Sequence, residues 1–265
     1  MFQSRMRHAR HPYPPGFYRS HKENARKSAE IIVPLVMELL PVASVVDVGC
    51  ALGTWLEVFR EHGTQIILGI DGDWVPSEDL EIPQDSFVAY DLTRPLRLDR
   101  TFDLVVALEV AEHLPVASAE IFVDTLVRLG SVILFSAAIP RQGGTHGEAH
   151  HPNEQWPSYW VQLFEKRGFE VLDSIRRRIW ENDSVAAWYA QNILLFVRKD
   201  VLLTNNALRA EWEGGARGAL PLVHPRLFLS VADPSTQTPG KIVRSSVEAL
   251  RVLVGKTLMR RKRHG

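Results

Sequence analysis

In the stretch EVAEH, Glu109, Glu112 and His113 stand at i, i+3 and i+4. That spacing would place two carboxylates and an imidazole on one face of a helix beginning there. Farther along, HGEAHHPNEQWPSYW carries His146, His150 and His151 in one expected loop. Two carboxylates and two imidazoles facing a cleft can hold Mg2+, Mn2+ or Zn2+. An imidazole alone can instead take the proton of a reacting hydroxyl, with His151 or His150 as the base in this loop. Both chemistries use the same atoms, so what decides between them is how the rest of the chain presents these residues.

The earliest positioning element is VVDVGCALGTWLEVF, Val45 to Phe59. Val42, Val45, Val46 and Val48 are β-branched in a run too short for a helix, which predicts a buried parallel strand stopping at Gly49. From Thr54 onward Trp55, Val58 and Phe59 recur at helical spacing, with Glu57, Arg60 and Glu61 on the other face. Strand, Gly-bearing turn and helix in that order open a nucleotide-binding α/β unit, in which the glycines permit a sharp turn and close approach of a ligand. The turn reads Gly49-Cys50-Ala51-Leu52-Gly53, which does not fit the G-x-G-x-x-G of a dinucleotide site. The acid within the strand, Asp47, suits the positive end of a ligand better than a pyrophosphate.

IILGIDGD reads as a second strand ending in Asp71, SFVAYDL as a third ending in Asp91, FDLVVALEV as a fourth and SVILFSAAI as a fifth, with a helix over Ala117 to Leu129. YWVQLFEKRGF predicts a helix closed by Gly168, and EVLDSIRRRIW and NILLFVRK two late strands that pair antiparallel. The expected fold is α/β: a doubly wound, Rossmann-like seven-stranded sheet with the last strand antiparallel, plus a helical N-terminal leader and a C-terminal appendage. The boundaries expected are a leader over 1–28, loose up to about Arg19, a catalytic domain over 29–200 and an appendage over 201–265. A helix leads into the first strand through ENARKSAEIIVPLVMELLP, and a final one, with Val243, Val247, Leu250, Val254 and Leu258 on one face, ends in Arg260, Arg261, Lys262 and Arg263.

Composition sets the outer bounds. The 265 residues with 45% hydrophobic content can bury a sizeable core, and Lys plus Arg equals Asp plus Glu at 31 each, so no basic surplus argues for nucleic acid. The single cysteine, Cys50, allows no internal disulfide and reads as a small turn residue in a reducing compartment. The N-terminus lacks the apolar core of a secretory signal, and the apolar region Ile31 to Val48 is interrupted by Pro34, Glu38, Pro41 and Asp47. A cytoplasmic protein is expected.

The acids collect at strand ends: Asp47, Asp71, Asp91 and Glu109. A turn carboxylate explains each singly, but the set is hard to obtain by chance. Over roughly Ala29 to Lys199 the chain resembles the class I S-adenosylmethionine-dependent methyltransferases: VVDVGCALGTW is similar to their glycine-rich first motif, LGIDGD to their ribose-binding segment, VAYDL to their adenine-contacting segment and FDLVVALEVAEHLP to their fourth motif. The resemblance implies that Asp47, Gly49, Ala51 and Gly53 border the methionine part of the cofactor, Asp71 the ribose, Asp91 and Leu92 the adenine, and that Glu109 lines the cofactor pocket. Ala51 departs from the family, which often has glycine there; it is harmless if φ is negative and awkward if φ is positive.

E-x-x-E-H followed by a His three residues before a Glu also resembles the metal-dependent O-methyltransferases of ubiquinone biosynthesis and of small-RNA 3′-end methylation. This implies Glu109, Glu112, His113 and His151 as ligands of a divalent metal (Mg, Mn or Zn) that acidifies a chelated hydroxyl. In metal-free relatives the same pattern leaves Glu112 structural and His113 as general base. The texture of Arg26 to Pro41 and of HHPNEQWPSYWVQLFEKRGFEV is similar to bacterial methyltransferases of glycan and glycolipid assembly, which implies a sugar hydroxyl as acceptor. Trp156, Tyr159 and Trp160 are candidates to stack on a ring, and Trp180, Glu181, Asn182, Trp188, Tyr189 and Asn192 form an expected polar-aromatic loop near the cleft mouth. Arg176, Arg177 and Arg178 read as a solvated strand end. The basic C-terminal cluster would suit an anionic membrane face. Competing readings are methyl transfer to a catechol, an amine or an RNA 3′ end, a nicotinamide-dependent oxidoreductase, and a non-catalytic methyltransferase-like scaffold.

Overall fold

The computed structural model of the chain describes residues 17–142, 151–215 and 220–232. The chain divides into two units, Met1–His224 and Pro225–Gly265. In the first, β1 (Ser44–Val48), β2 (Ile66–Asp71), β3 (Phe87–Ala89), β4 (Leu104–Leu108), β5 (Val132–Ser136), β6 (Phe169–Leu172) and β7 (Leu194–Arg198) form a seven-stranded sheet. Their order is β3-β2-β1-β4-β5-β7-β6. Only β7 runs against its neighbours, antiparallel to both β5 and β6. Chain order reverses between β1 and β4, and the crevice at the carboxyl ends of those two strands is where a doubly wound sheet receives its ligand.

The strands lack the polar alternation of a half-exposed sheet because both faces are covered. Val45, Leu104, Val106 and Leu134 face one apolar cluster with α1 (Phe17–Met37) and α2 (Thr54–Glu61). Val46, Val105, Ala107 and Ile133 face a second with α3 (Ala119–Leu129) and α4 (Pro157–Glu165). Alternate side chains of one strand therefore enter different cores, which is why these sequences read as continuous apolar runs. Arg26 of α1 reaches Glu61 of α2 at 2.6 Å, and the Ser28 hydroxyl accepts from the Ala186 N–H at 3.0 Å.

Two expectations change. The helix α1 already begins at Phe17, inside the segment expected to be loose. The late strand EVLDSIRRRIW stops at Leu172, and α5 (Arg176–Ile179) follows. Ile175 and Ile179, four apart, are both buried, and Arg176 forms a buried bidentate pair with Asp173 three residues before it. Those spacings are helical, and Arg176 is a core cation, while Arg177 and Arg178 are exposed as expected. The polar-aromatic segment contains a second short helix, α6 (Ala187–Asn192). After β7 come α7 (Lys199–Thr204) and α8 (Asn206–Glu213), the latter capped by Asn205.

In the second unit the described element is α9 (Pro225–Ala232). The basic C-terminal helix lies outside the described residues. No described helix is long and apolar enough to cross a membrane.

Candidate active site

The turn after β1 is built for close approach. Gly49 has φ 93° and Gly53 φ 82°. A Cβ on Gly49 would stand 2.3 Å from Cγ2 of Val110, so the β1 turn and the β4 loop touch at the sheet's switch point. Ala51 also adopts a left-handed conformation, φ 49°, the awkward case for a residue with a Cβ. Its N–H donates to Oδ2 of Asp71 at 2.8 Å, while the Gly72 N–H donates to Oδ1 at 2.6 Å. Burial lifts the Asp71 carboxyl to about 6 against the opposing pull of these two N–H groups. Asp47, buried within β1, is raised well above the usual carboxylate range by burial and then by Asp71. A buried acid held uncharged in this way is one that an arriving cation would ionise. The Cys50 thiol is buried and likewise raised.

Farther along the edge, Asp91 is exposed and its Oδ1 accepts from the Thr93 N–H and hydroxyl, at 3.0 and 2.7 Å; the neighbouring Leu92 is buried. The third strand thus delivers an apolar side chain and a turn-forming carboxylate at the expected adenine end.

At the end of β4 the expected helical face does not form. Glu109 stands alone in the left-handed region, φ 56°, and Ala111–His113 make a single 3-10 turn. The Glu109 N–H donates to both the carbonyl and the hydroxyl of Ser136, at 3.0 and 3.1 Å, which holds this backbone in place. The Glu109 carboxylate accepts from Asn192 Nδ2 at 3.0 Å on one oxygen and from Gln142 Nε2 at 3.0 Å on the other. Burial raises Glu109 and raises Glu112 further, because the charge of Glu109 lies beside Glu112. The donors on Glu109 oppose the rise of its own pKa, whereas the charge of Glu109 adds to the rise of Glu112. Oε2 of Glu112 is buried with no hydrogen-bond partner.

The histidines meet as the sequence suggested. The His113 and His151 rings are 4.5 Å apart and nearly perpendicular. Asn153 brings them together: its N–H donates to the Glu112 carbonyl and its Nδ2 to the Ala111 carbonyl, each at 3.2 Å. His151 Nδ1 lies 3.1 Å from Oε1 of Glu154, and the other Glu154 oxygen accepts from the Arg141 N–H at 2.6 Å. Ligand atoms of Glu112, His113 and His151 all fall within 4.8 Å of one another. Glu109, the fourth expected ligand, is turned instead to Asn192 and Gln142. His146 and His150 lie outside the described residues. Trp160, on the inner face of α4, is buried in the core, whereas Trp156 is exposed.

Sequence reasoning missed Gln142, Gln191 and Ser136. A signal was present for Gln191: in QNILLFV two amides directly precede an apolar strand, and both prove buried. Tyr189, placed in the polar-aromatic segment, accepts from Trp55 Nε1 at 3.4 Å and packs edge-on against that ring.

A family model described as a methyltransferase domain matches residues 18–174. Among solved structures, DesVI of Streptomyces venezuelae is similar with a TM-score of 0.53 at 15% identity, over 69% of this chain and 95% of that one. SAM-bound CalS10 of Micromonospora echinaspora, an amino pentose methyltransferase involved in calicheamicin biosynthesis, is similar with a TM-score of 0.52 at 15% identity, over 72% of this chain and all of that one. At these identities the likeness is one of fold. No curated protein matches the chain by sequence.

Proposed function

The chain belongs to the methyltransferase-domain family, among the class I S-adenosylmethionine-dependent methyltransferases, and we propose that it methylates a hydroxyl of a sugar or glycan precursor, with the His113–His151 pair receiving the proton. The observation that carries this reading is the Glu154–His151–His113 cluster, with His113 in the turn that follows the carboxyl end of β4. When bound, the cofactor supplies a methyl group on a cationic sulfur. The hydroxyl oxygen forms a bond to that methyl as the carbon–sulfur bond breaks, and the hydroxyl proton leaves to a histidine; the products are a methyl ether, a thioether and an imidazolium. Glu154 at Nδ1 favours the tautomer with hydrogen there, so Nε2 of His151 is the accepting nitrogen.

In this reading the glycine turn admits the methionine end of the cofactor beside Asp47 and Glu109, Asp71 accepts from the ribose hydroxyls, and Leu92 with Asp91 borders the adenine. Acids beside the sulfonium and ammonium groups gain their charge as those cations arrive. The balance of acids and bases over the whole chain supports a small or glycan acceptor over RNA.

A second reading rests on the same cluster. Glu112, His113 and His151 offer a carboxylate oxygen and two imidazole nitrogens within 4.8 Å, and the unpartnered buried oxygen of Glu112 suits a cation. The donor set fits a divalent metal, which would lower the pKa of a coordinated hydroxyl. The experiment that tests both readings is transfer of labelled methyl from S-adenosylmethionine to a panel of hydroxyl and amino sugars, with and without EDTA. Label in a methyl ether that survives EDTA supports the histidine base, and label lost with EDTA and restored by Mn2+ or Mg2+ supports the metal. Label only in amines overturns the hydroxyl acceptor.

A further inference from the structure

Three buried or half-buried amides, Gln142, Gln191 and Asn192, lie end to end behind Glu109, and their orientations follow from the backbone. The His224 N–H donates to Oε1 of Gln191 at 2.9 Å. A backbone N–H can only donate, so the opposite end of that amide is its NH2. Nε2 of Gln191 donates to Oε1 of Gln142 at 2.8 Å and to Oδ1 of Asn192 at 2.9 Å. The Ile139 N–H independently fixes Oε1 of Gln142 at 3.2 Å. Both remaining NH2 groups then point at one target. Nε2 of Gln142 and Nδ2 of Asn192 donate to the two oxygens of Glu109. Reversing any one amide would set oxygen against oxygen or NH2 against N–H, so the chain has a single direction.

We propose that Gln142, Gln191 and Asn192 are positioning residues, a one-way amide relay that orients the Glu109 carboxylate toward the cofactor and is anchored by the segment Leu220–His224. The proposal rests on the reading that Glu109 borders the cofactor. The anchor lies well beyond residues 18–174, the stretch matched by the family model. It is fastened at three places: Arg176 Nη1 donates to the Leu220 carbonyl at 3.0 Å, Nε2 of His224 lies 2.9 Å from the Trp180 carbonyl, and the Trp180 and His224 rings sit 4.6 Å apart. Arg176 Nη1 also donates to the Gln191 carbonyl at 3.0 Å, so one buried guanidinium braces both the anchor and the relay. Residues outside the family-matched stretch thereby take part in shaping the site.

The test is calorimetric binding of S-adenosylmethionine to the full chain, with a thermal melt of each variant. Glu109→Gln tests the underlying reading, and Asn192→Leu, Gln191→Met and their double variant test the relay. Losing a hydrogen bond to a charged group corresponds to about a tenfold weakening. We expect about that for Glu109→Gln and Asn192→Leu, a smaller loss for Gln191→Met, and a double variant weaker than Asn192→Leu alone but short of the product of the two losses, because Gln191 acts partly through Asn192 and partly through Gln142. If Asn192→Leu fails to fold, Gln142→Met reads the same carboxylate from its other oxygen. Wild-type affinity in the amide variants alongside a loss in Glu109→Gln would overturn the relay and leave the cofactor reading standing, as would losses that simply multiply in the double variant. An unchanged affinity in Glu109→Gln would overturn the reading of Glu109 and the relay with it.

Discussion

The N–H of Ala51 donates to the carboxylate of Asp71 at 2.8 Å, tying the turn after the first strand to the acid that ends the second. The turn and the proposed ribose site are therefore one mechanical unit. Asp71→Ala removes an acceptor for the ribose hydroxyls and a support for the turn. The expected outcome is a fall in S-adenosylmethionine affinity of about ten- to a hundredfold, the range for hydrogen bonds to a charged group, read by calorimetry.

The pH dependence of binding has a definite sign. Burial lifts the Asp71 carboxyl to about 6. Ribose hydroxyls donating to it favour the ionised form, so binding lowers this pKa and releases a proton. Affinity should rise with pH up to and through about 6 and then flatten in this respect, and Asp71→Asn should remove that part of the slope. The raised pKa also means that the folded protein holds this proton more tightly than the unfolded chain does. Asp71's contribution to stability therefore falls as pH rises from the ordinary carboxylate range through about 6, which chemical denaturation at a series of pH values would detect.

Gly49→Ala and Ala51→Gly should differ sharply in cost. The first forces a Cβ against Val110 at 2.3 Å, in a backbone with φ 93°, and should cost about 2 kcal/mol or more. The second relieves a Cβ at φ 49°, offset by the greater freedom of glycine when unfolded, and should lie within about 1 kcal/mol of neutral. Urea unfolding midpoints distinguish the two.

Removing one partner of the buried Asp173–Arg176 pair leaves an uncompensated charge. Asp173→Asn should destabilise by about 3 kcal/mol, within the range for breaking a buried ion pair. A melting temperature within a degree of wild type would show that the pair is dispensable.

Glu154→Gln keeps the shape of the loop but removes the carboxylate from His151 Nδ1. With a histidine base, methyl transfer should fall by about tenfold or more with S-adenosylmethionine affinity unchanged. His151→Ala should fall further and should not be rescued by added metal. Rescue by Mn2+ would favour the metal reading.

The central strands and the glycine turn were legible because β1, β4 and β5 are buried on both faces, leaving continuous apolar runs that few other environments produce. The meeting of His113 and His151 was legible because E-x-x-E-H and the later His flank the same end of the sheet. What the sequence concealed depends on partners distant along the chain. Arg176 reads as a surface residue until Asp173 turns back on it, and Glu109 leaves its expected helical face because Ser136 captures its backbone and Asn192 its side chain. Gln142 and Gln191 carry no local signal of their target, since each orientation is dictated by a backbone N–H that only folding brings near.

The most direct test of the account is calorimetric titration of the full chain with S-adenosylmethionine and, separately, with NAD, for the wild type and Asp71→Ala. The account predicts one site for S-adenosylmethionine, weakened by about tenfold or more in Asp71→Ala, and no binding of NAD. Tight NAD binding without S-adenosylmethionine binding, or S-adenosylmethionine binding indifferent to Asp71, would contradict it.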